Sequence, residues 1–359
     1  MAPPLKGLIL SGGRGTRLRP ITFTSAKQLV PVANKPVLFY GIEAMASASI
    51  GQVGIIIAPE TGDEIRDAAG DGSQFGVEIT YIVQDEPAGL AHAVLTAEPF
   101  LGASPFVMYL GDNLLQGGIA ELVNAFRSHE PEALILLTAV PDPENYGVAE
   151  LDEAGAVVRL VEKPTEPASD LALVGVYMFT PLIHDAARAI EPSARGELEI
   201  TDAIQWLVDG GKRVESHVVR GWWKDTGRLD DMLEANRLIL ETVERRVEGE
   251  LVDSQVDGRV VVEPGARLER ATVRGPAVIG SGALLRDAYV GPYTAVGAGC
   301  VIEAAEVEHS ILLEASSVRG LEGRMESSLL GKNVAISRDD RQPRAYRFMV
   351  GDNSEIGIL

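Results

Sequence analysis

The chain has 359 residues, 46% hydrophobic and 23% charged, enough for two domains that each bury a core. Asp and Glu outnumber Lys and Arg by 52 to 32, a formal charge of −20, which excludes general binding to nucleic acid or anionic membranes and confines any phosphate site to a local basic patch. The one cysteine, Cys300, excludes an intrachain disulfide, the longest apolar run, Ala133–Val140, is far short of a membrane span, and the first residues lack a secretion signal, so a cytoplasmic protein is expected.

Leu5–Leu10 is predicted as the first strand and runs into a Gly-rich loop. Helix is predicted over Val37–Ala48, strand over Val53–Ala58 and Val77–Val83, helix over Gly89–Ala97, strand over Phe106–Leu110, helix over Ile119–His129 and strand over Ala133–Val140. Unbroken apolar runs alternating with helices point to a mostly parallel α/β sheet. Val157–Glu162, Leu173–Phe179, Ile200–Gly210 and Val214–Val219 read as further strands and one helix on that sheet. A last helix is predicted over Met232–Arg246, with Glu244–Gly249 as a charged linker. From about residue 250 the pattern changes: Val278, Leu284, Val290, Val296 and Ile302 stand six apart, and Gly282, Ala288, Thr294 and Cys300 precede the last four by two positions. One aliphatic and one small residue in every six is the hexapeptide pattern of a parallel β-helix, aliphatic side chains stacked inside and small ones at the corners. Cys300 is therefore read as packing.

In Ser11-Gly-Gly-Arg-Gly-Thr-Arg-Leu-Arg-Pro20, Gly12, Gly13 and Gly15 let the backbone turn and aim N–H groups at an anion, while Arg14, Arg17 and Arg19 supply charge. No Lys-Ser/Thr follows the last glycine, so this is not a Walker A loop, and the spacing is not the dinucleotide one. Lys27 lies a short loop further on, within reach of the same phosphates. Nothing points to a covalent nucleophile, and His92, His129, His184 and His217 show no metal-ligand spacing. His309 lies in the repeats, where hexapeptide acyltransferases carry a base, but no acyl-carrier or CoA-binding insertion accompanies it.

Ser11–Pro20, Ala26-Lys-Gln-Leu-Val-Pro31 and Lys35-Pro36 together resemble the opening of the sugar-1-phosphate nucleotidyltransferases. The likeness continues in family order through Gln84 with Gly89–Ala93, Leu110–Asn113, Asn145–Val148, Val161–Pro164, Arg195–Asp202 and Gly221–Gly227. The branch most resembled is the glucose-1-phosphate thymidylyltransferases in their long form. The resemblance implies an α/β chain: a Rossmann-like open mixed sheet nucleotidyltransferase domain over residues 1–243, a left-handed parallel β-helix of hexapeptide repeats over 250–335, and a tail over 336–359. It also implies that an oxygen of glucose-1-phosphate attacks the α-phosphorus of dTTP and pyrophosphate leaves, with Mg²⁺ as cofactor on Asp112 and Asp225.

By the same resemblance Arg17 and Lys27 neutralise the triphosphate, and Gly12, Gly13, Arg14, Gly15, Thr16 and Gln28 share the nucleotide site. Gln84, whose amide both donates and accepts, suits a pyrimidine edge, and Gly89 lets the backbone approach the base. Lys163 binds the phosphate of the sugar with help from Arg195, and Tyr146, Gly147 and Glu162 meet the sugar. Gln28 follows Lys27 as in the thymidylyl branch; many uridylyl enzymes resemble Lys-Glu there. A UTP-using or other sugar-1-phosphate nucleotidyltransferase, a bifunctional enzyme acetylating through the β-helix, and an inactive ligand-sensing subunit stay open. Expected partners are dTTP, glucose-1-phosphate and further copies in a homo-oligomer, with no nucleic acid and no membrane. Because every assigned residue lies between Gly12 and Asp225, a chain ending near Arg246 is expected to keep its activity. The apolar end, Tyr346–Leu359, receives no role.

Overall fold

Leu8, Ile9, Ile55, Ile56, Val107 and Met108 bury both faces of three neighbouring strands, and the first half of the chain is built outward from that parallel centre. A computed structural model describes residues 3–13, 15–23, 25–338 and 346–358; Arg14, one of the expected nucleotide-site residues, lies outside them. In chain order come β1 (Lys6–Ser11), the short strands β2 (Pro31–Val32) and β3 (Lys35–Pro36), α1 (Val37–Ser47), β4 (Gln52–Ile57), α2 (Gly62–Ala69) and β5 (Glu78–Val83). Then follow α3 (Leu90–Thr96), α4 (Glu98–Leu101), β6 (Phe106–Leu110), β7 (Asn113–Leu115), α5 (Ala120–His129), β8 (Ala133–Ala139), β9 (Gly147–Leu151) and β10 (Val157–Glu162). The series ends with β11 (Leu171–Phe179), α6 (Leu182–Ala189), α7 (Ile200–Asp209), β12 (Val214–Val218), β13 (Trp223–Asp225) and α8 (Leu229–Leu240).

Packing divides the chain into two compact units, Met1–Arg14 with Val37–Asp225, and Gly15–Pro36 with Thr226–Leu359. In the first, nine strands among the described residues form one mixed sheet with a path β10-β9-β11-β6-β1-β4-β5, and β8 and β12 continue from β11. β1 is parallel to both β4 and β6, whereas β11 runs antiparallel to β6. The chain leaves β1 with its two parallel neighbours on opposite sides, the place where open α/β sheets bind ligands beyond the strand ends. The Gly111 N–H donates to the Leu10 carbonyl at 2.9 Å, tying the ends of β6 and β1 together.

In the second unit three stacked parallel sheets form the expected left-handed β-helix, from Arg246–Val247 to Ala335–Ser337. Its period corrects the sequence reading. Arg267 stands beside Leu284 and Leu284 beside Val301, so each of these coils advances 17 residues, one short of three hexapeptides. The short corner holds Arg270, Asp287 and Ala304, all with φ of 47–49°, and this left-handed turn saves one residue per coil. The inward aliphatic residues are accordingly Ile279, Leu285, Val290, Val296 and Ile302, so the six-residue spacing begun at Val278 and Leu284 is one position out of phase for its first two members. Cys300 is fully buried in this core, with its Sγ 3.1 Å from the Leu313 carbonyl. On one face Glu269, Arg286, Glu303 and Arg319 follow one another up the stack.

The last helix is also shorter than expected. α8 buries Met232, Asn236 and Leu240 along one stripe; the next position on that stripe, Glu244, is charged, and Arg246–Val247 already pairs with the β-helix. In the tail, Tyr346, Phe348, Met349, Val350, Ile356 and Ile358 are exposed. Among the described residues no helix is long and apolar enough to cross a membrane.

Candidate active site

Asp112 stands two residues beyond the end of β6, after Gly111, and the three-residue strand β7 begins at Asn113. β7 pairs antiparallel with β13, which sets Asp225 opposite Asn113. Two aspartates far apart in sequence are thus brought to adjacent positions. Asn113, nearly fully buried, organises the pair: its Nδ2 donates to Asp112 Oδ1 at 2.9 Å, and its Oδ1 accepts from the Trp223 indole N–H at 2.6 Å and the Gly175 N–H at 3.2 Å. Beneath it the Tyr109 hydroxyl donates to the Asn113 carbonyl at 3.2 Å; burial, reinforced by the charge of Asp112, holds that phenol far above its usual range. An all-oxygen carboxylate pair fits a hard divalent cation that keeps sites for phosphate oxygens and water.

At the end of β1, a Cβ built on Gly12 would stand 3.5 Å from Gln84 Oε1, in a small cleft lined also by Ala58, Glu60 and Pro87. The Gln84 Nε2 lies 2.9 Å from His92 Nδ1 and 3.4 Å from the Gly89 carbonyl, so the amide presents its oxygen towards Gly12. Gly13 is exposed. Gly89 has φ of 106°, and a Cβ there would fall 2.4 Å from the Leu198 carbonyl. The close neighbour that demands glycine at 89 is thus the Leu198 backbone.

The residues expected at the sugar cluster around β9 and β10. Gly147 pairs with Glu162, and the Lys163 N–H donates to the Tyr146 carbonyl at 2.9 Å. Tyr146 meets Trp223 edge-on at 5.6 Å, which links this group to β13. Lys163 has φ of 42°, a strained value for a lysine, and its Nζ lies 3.8 Å from Glu162. Arg195 contacts three carboxylates, 2.9 Å from Glu199, 3.3 Å from Glu162 and 3.4 Å from Glu197, and the Thr201 hydroxyl donates to Glu162 at 3.3 Å. Burial, reinforced by Glu199, raises Glu162 above the ordinary carboxylate range despite Lys163 and Arg195; Asp202 is raised by burial and then by Glu199.

The other expected nucleotide residues lie in the second unit. Thr16 and Arg17 are exposed on a 3-10 turn whose Leu18 is buried. Lys27 and Gln28 are both buried on a later 3-10 turn, Lys27–Leu29. Gly15 has φ of 60°, and a Cβ there would stand 2.8 Å from Lys27 Cβ.

Two of the histidines that show no metal-ligand spacing in the sequence meet in the fold. His129, Glu215 and His217 bring their ligand atoms within 4.8 Å of one another. Glu215 is already bound by His129 Nδ1 at 2.8 Å and by the Arg213 guanidinium, so the group is built as an ion-paired cluster at the edge strand.

Residues 6–242, more than half of the chain, match the family described as Nucleotidyl transferase. The chain belongs to the nucleotidyl transferase family. This nucleotidyl transferase is 54% identical to a glucose-1-phosphate thymidylyltransferase of Streptomyces griseus and 56% identical to one of Streptomyces antibioticus, in each case over 99% of both chains. A low-salt glycan biosynthesis nucleotidyltransferase of Haloferax volcanii is 49% identical over 99% of this chain and 100% of its own length. Among solved structures, a Bacillus anthracis protein assigned as a glucose-1-phosphate thymidylyltransferase, in complex with a sucrose, superposes with a TM-score of 0.62 at 36% identity, covering 65% of this chain and 94% of that one.

Sequence reasoning about this nucleotidyl transferase missed Asn113, Trp223, Glu199 and Thr201, although all four stand inside the quoted motifs. A buried asparagine beside an aspartate, and an indole that needs an acceptor, are the signals that point to the first two. The raised Glu162 gives a testable consequence. A carboxyl whose folded-state pKa is raised contributes stability below its unfolded pKa and loses it as pH rises through the folded value. Glu162→Gln is therefore expected to raise Tm by about 2 °C or more at pH 7, with a smaller gain near pH 4. Thermal melts at both pH values check this; an equal gain at both would show that the charge is not responsible.

Proposed function

We propose that this nucleotidyl transferase condenses dTTP with glucose-1-phosphate to dTDP-glucose and pyrophosphate. The observation that carries the reading is the β7–β13 ladder, which sets Asp225 beside Asn113 and Asp112. A phosphate oxygen of the sugar attacks the α-phosphorus directly, the bond to pyrophosphate breaks, and no covalent enzyme intermediate forms. Both reactants are anions, so positioning and charge neutralisation do most of the catalysis. Asp112 and Asp225 would hold Mg²⁺, which would supply positive charge to neutralise phosphate oxygens. Arg17 and Lys27 neutralise the triphosphate, with Gly12, Gly13, Arg14, Gly15, Thr16 and Gln28 around it. The oxygen of Gln84 accepts the imino proton of the base, a contact that thymine and uracil make equally well. Lys163 and Arg195 take the sugar phosphate, while Tyr146, Gly147 and Glu162 meet the sugar. The protein works in the cytoplasm and as a homo-oligomer, a state that light scattering measures directly.

The test is pyrophosphate release with dTTP, UTP, ATP, CTP and GTP, each against glucose-, galactose- and N-acetylglucosamine-1-phosphate. Highest kcat/KM for dTTP with glucose-1-phosphate supports the reading; a clear preference for another pair overturns it. Lys163→Ala is expected to raise KM for the sugar phosphate by about tenfold or more and to change KM for dTTP far less, as loss of one charge-assisted contact would. Titrating each substrate separately checks this, and an equal rise in both constants removes the division of labour.

A further inference from the structure

Arg17, Lys27 and Gln28 sit on a segment with little structure of its own. Among the described residues of 15–36 there are three single 3-10 turns and the two-residue strands β2 and β3. Elements this short do not hold side chains in place by their own hydrogen bonds. Support comes from α8 and the β-helix, which belong to the same compact unit.

The central contact is Asn236, in the middle of the apolar stripe of α8 and without exposed surface. Its Oδ1 accepts from the Ala33 N–H at 2.9 Å, and its Nδ2 donates to the Tyr293 carbonyl at 2.9 Å. One partner can only donate and the other only accept, so the amide has one orientation that satisfies both. Ala33 and Asn34 have φ of 48° and 62°, as a tight two-residue hairpin requires. That turn sends the Asn34 Nδ2 to the Val296 carbonyl at 2.7 Å. Tyr293 is itself held by Glu241, which accepts from its hydroxyl at 2.8 Å. Buried Ala26, Val30 and Val32 connect the hairpin to Lys27, and the Thr22 hydroxyl closes the loop on the Gly15 carbonyl at 2.6 Å.

We propose that Asn236 is a positioning residue for the triphosphate, keying the β2–β3 hairpin, and through it Arg17 and Lys27, to the β-helix corner at Tyr293. The proposal rests on the reading of Arg17 and Lys27 as triphosphate ligands. It gives the repeat domain a part in the reaction although that domain contributes no group to the chemistry.

The test uses the full chain. Asn236→Ala is expected to lower kcat/KM for dTTP by about 10- to 100-fold, the cost of misplacing a binding group by about 1 Å, with KM for the sugar phosphate within about twofold of the parent. Hydrogen exchange is expected to rise in residues 15–32 above the rise elsewhere. Asn34→Gly keeps the left-handed turn, removes one of the two links, and is expected to act in the same direction with smaller size. Leu268→Ala, buried in a coil that makes none of these bonds, lowers stability without moving KM for dTTP. The proposal falls if both substrates are affected equally, if Leu268→Ala reproduces the effect on dTTP, or if exchange in 15–32 is unchanged. If Asn236→Ala does not fold, Asn34→Gly decides both measurements. If the parent enzyme transfers no nucleotide, the functional reading falls, and exchange alone then decides whether Asn236 holds the loop.

Discussion

Asp112→Asn and Asp225→Asn are each expected to lower kcat by about 10²-fold or more at saturating substrates, the scale of losing one preorganised charge contact in the transition state. The substitution removes charge and preserves shape. An asparagine at 112 still offers Oδ1 to the Asn113 amide, so the link that aligns this turn survives. The ladder that sets residue 225 opposite Asn113 is made by backbone groups and does not depend on the side chain. Near-native melting together with the loss of kcat would therefore assign the effect to the missing carboxylate. Steady-state kinetics over a Mg²⁺ titration check this, and near-normal kcat at saturating metal for either variant would remove that residue from the metal site.

The second large effect concerns removal of the repeats. A chain ending at Arg246 is expected to lose about 10²-fold or more in kcat/KM for dTTP even in its folded fraction. The sequence implies the opposite, because no assigned residue lies beyond Asp225. Packing changes the expectation: Gly15–Pro36 belongs to the same unit as the β-helix, and truncation removes the Tyr293 and Val296 carbonyls that anchor the hairpin. It also removes Gly331, where a Cβ would stand 3.5 Å from Ile21. Circular dichroism and light scattering identify the folded, soluble fraction, and pyrophosphate release measures its activity. A folded truncation with full activity would show that α8 alone supports the loop.

The contrast shows what was legible in the sequence. β1, β4 and β6 were readable because both faces are apolar, and β-helix content was readable from stacked aliphatic residues. β9 begins at a glycine and its five residues, Gly-Val-Ala-Glu-Leu, neither alternate nor form an unbroken apolar run, so it was missed. Asp112 and Asp225 stood out inside motifs, but their meeting depends on β7 and β13, three residues each, too short to leave a periodic trace. Asn236 is one polar position in the buried stripe of α8, and the sequence reading did not single it out. Its partner Ala33 lies 203 residues away, and no local pattern reports such a contact.

A tower of similar storeys has a counting problem. Sliding one segment by a full 17-residue storey returns aliphatic residues to the interior, so the core alone distinguishes poorly between the correct stack and one shifted by a level. The column Glu269, Arg286, Glu303, Arg319 repeats only every second storey. In the correct stack Arg286 lies between Glu269 and Glu303, 2.7 and 3.0 Å from their carboxylates. A one-storey slip sets like charge against like. Each exposed pair adds little to stability, yet like charges directly opposite are unfavourable, so the column acts as a parity check that penalises the smallest error in assembly.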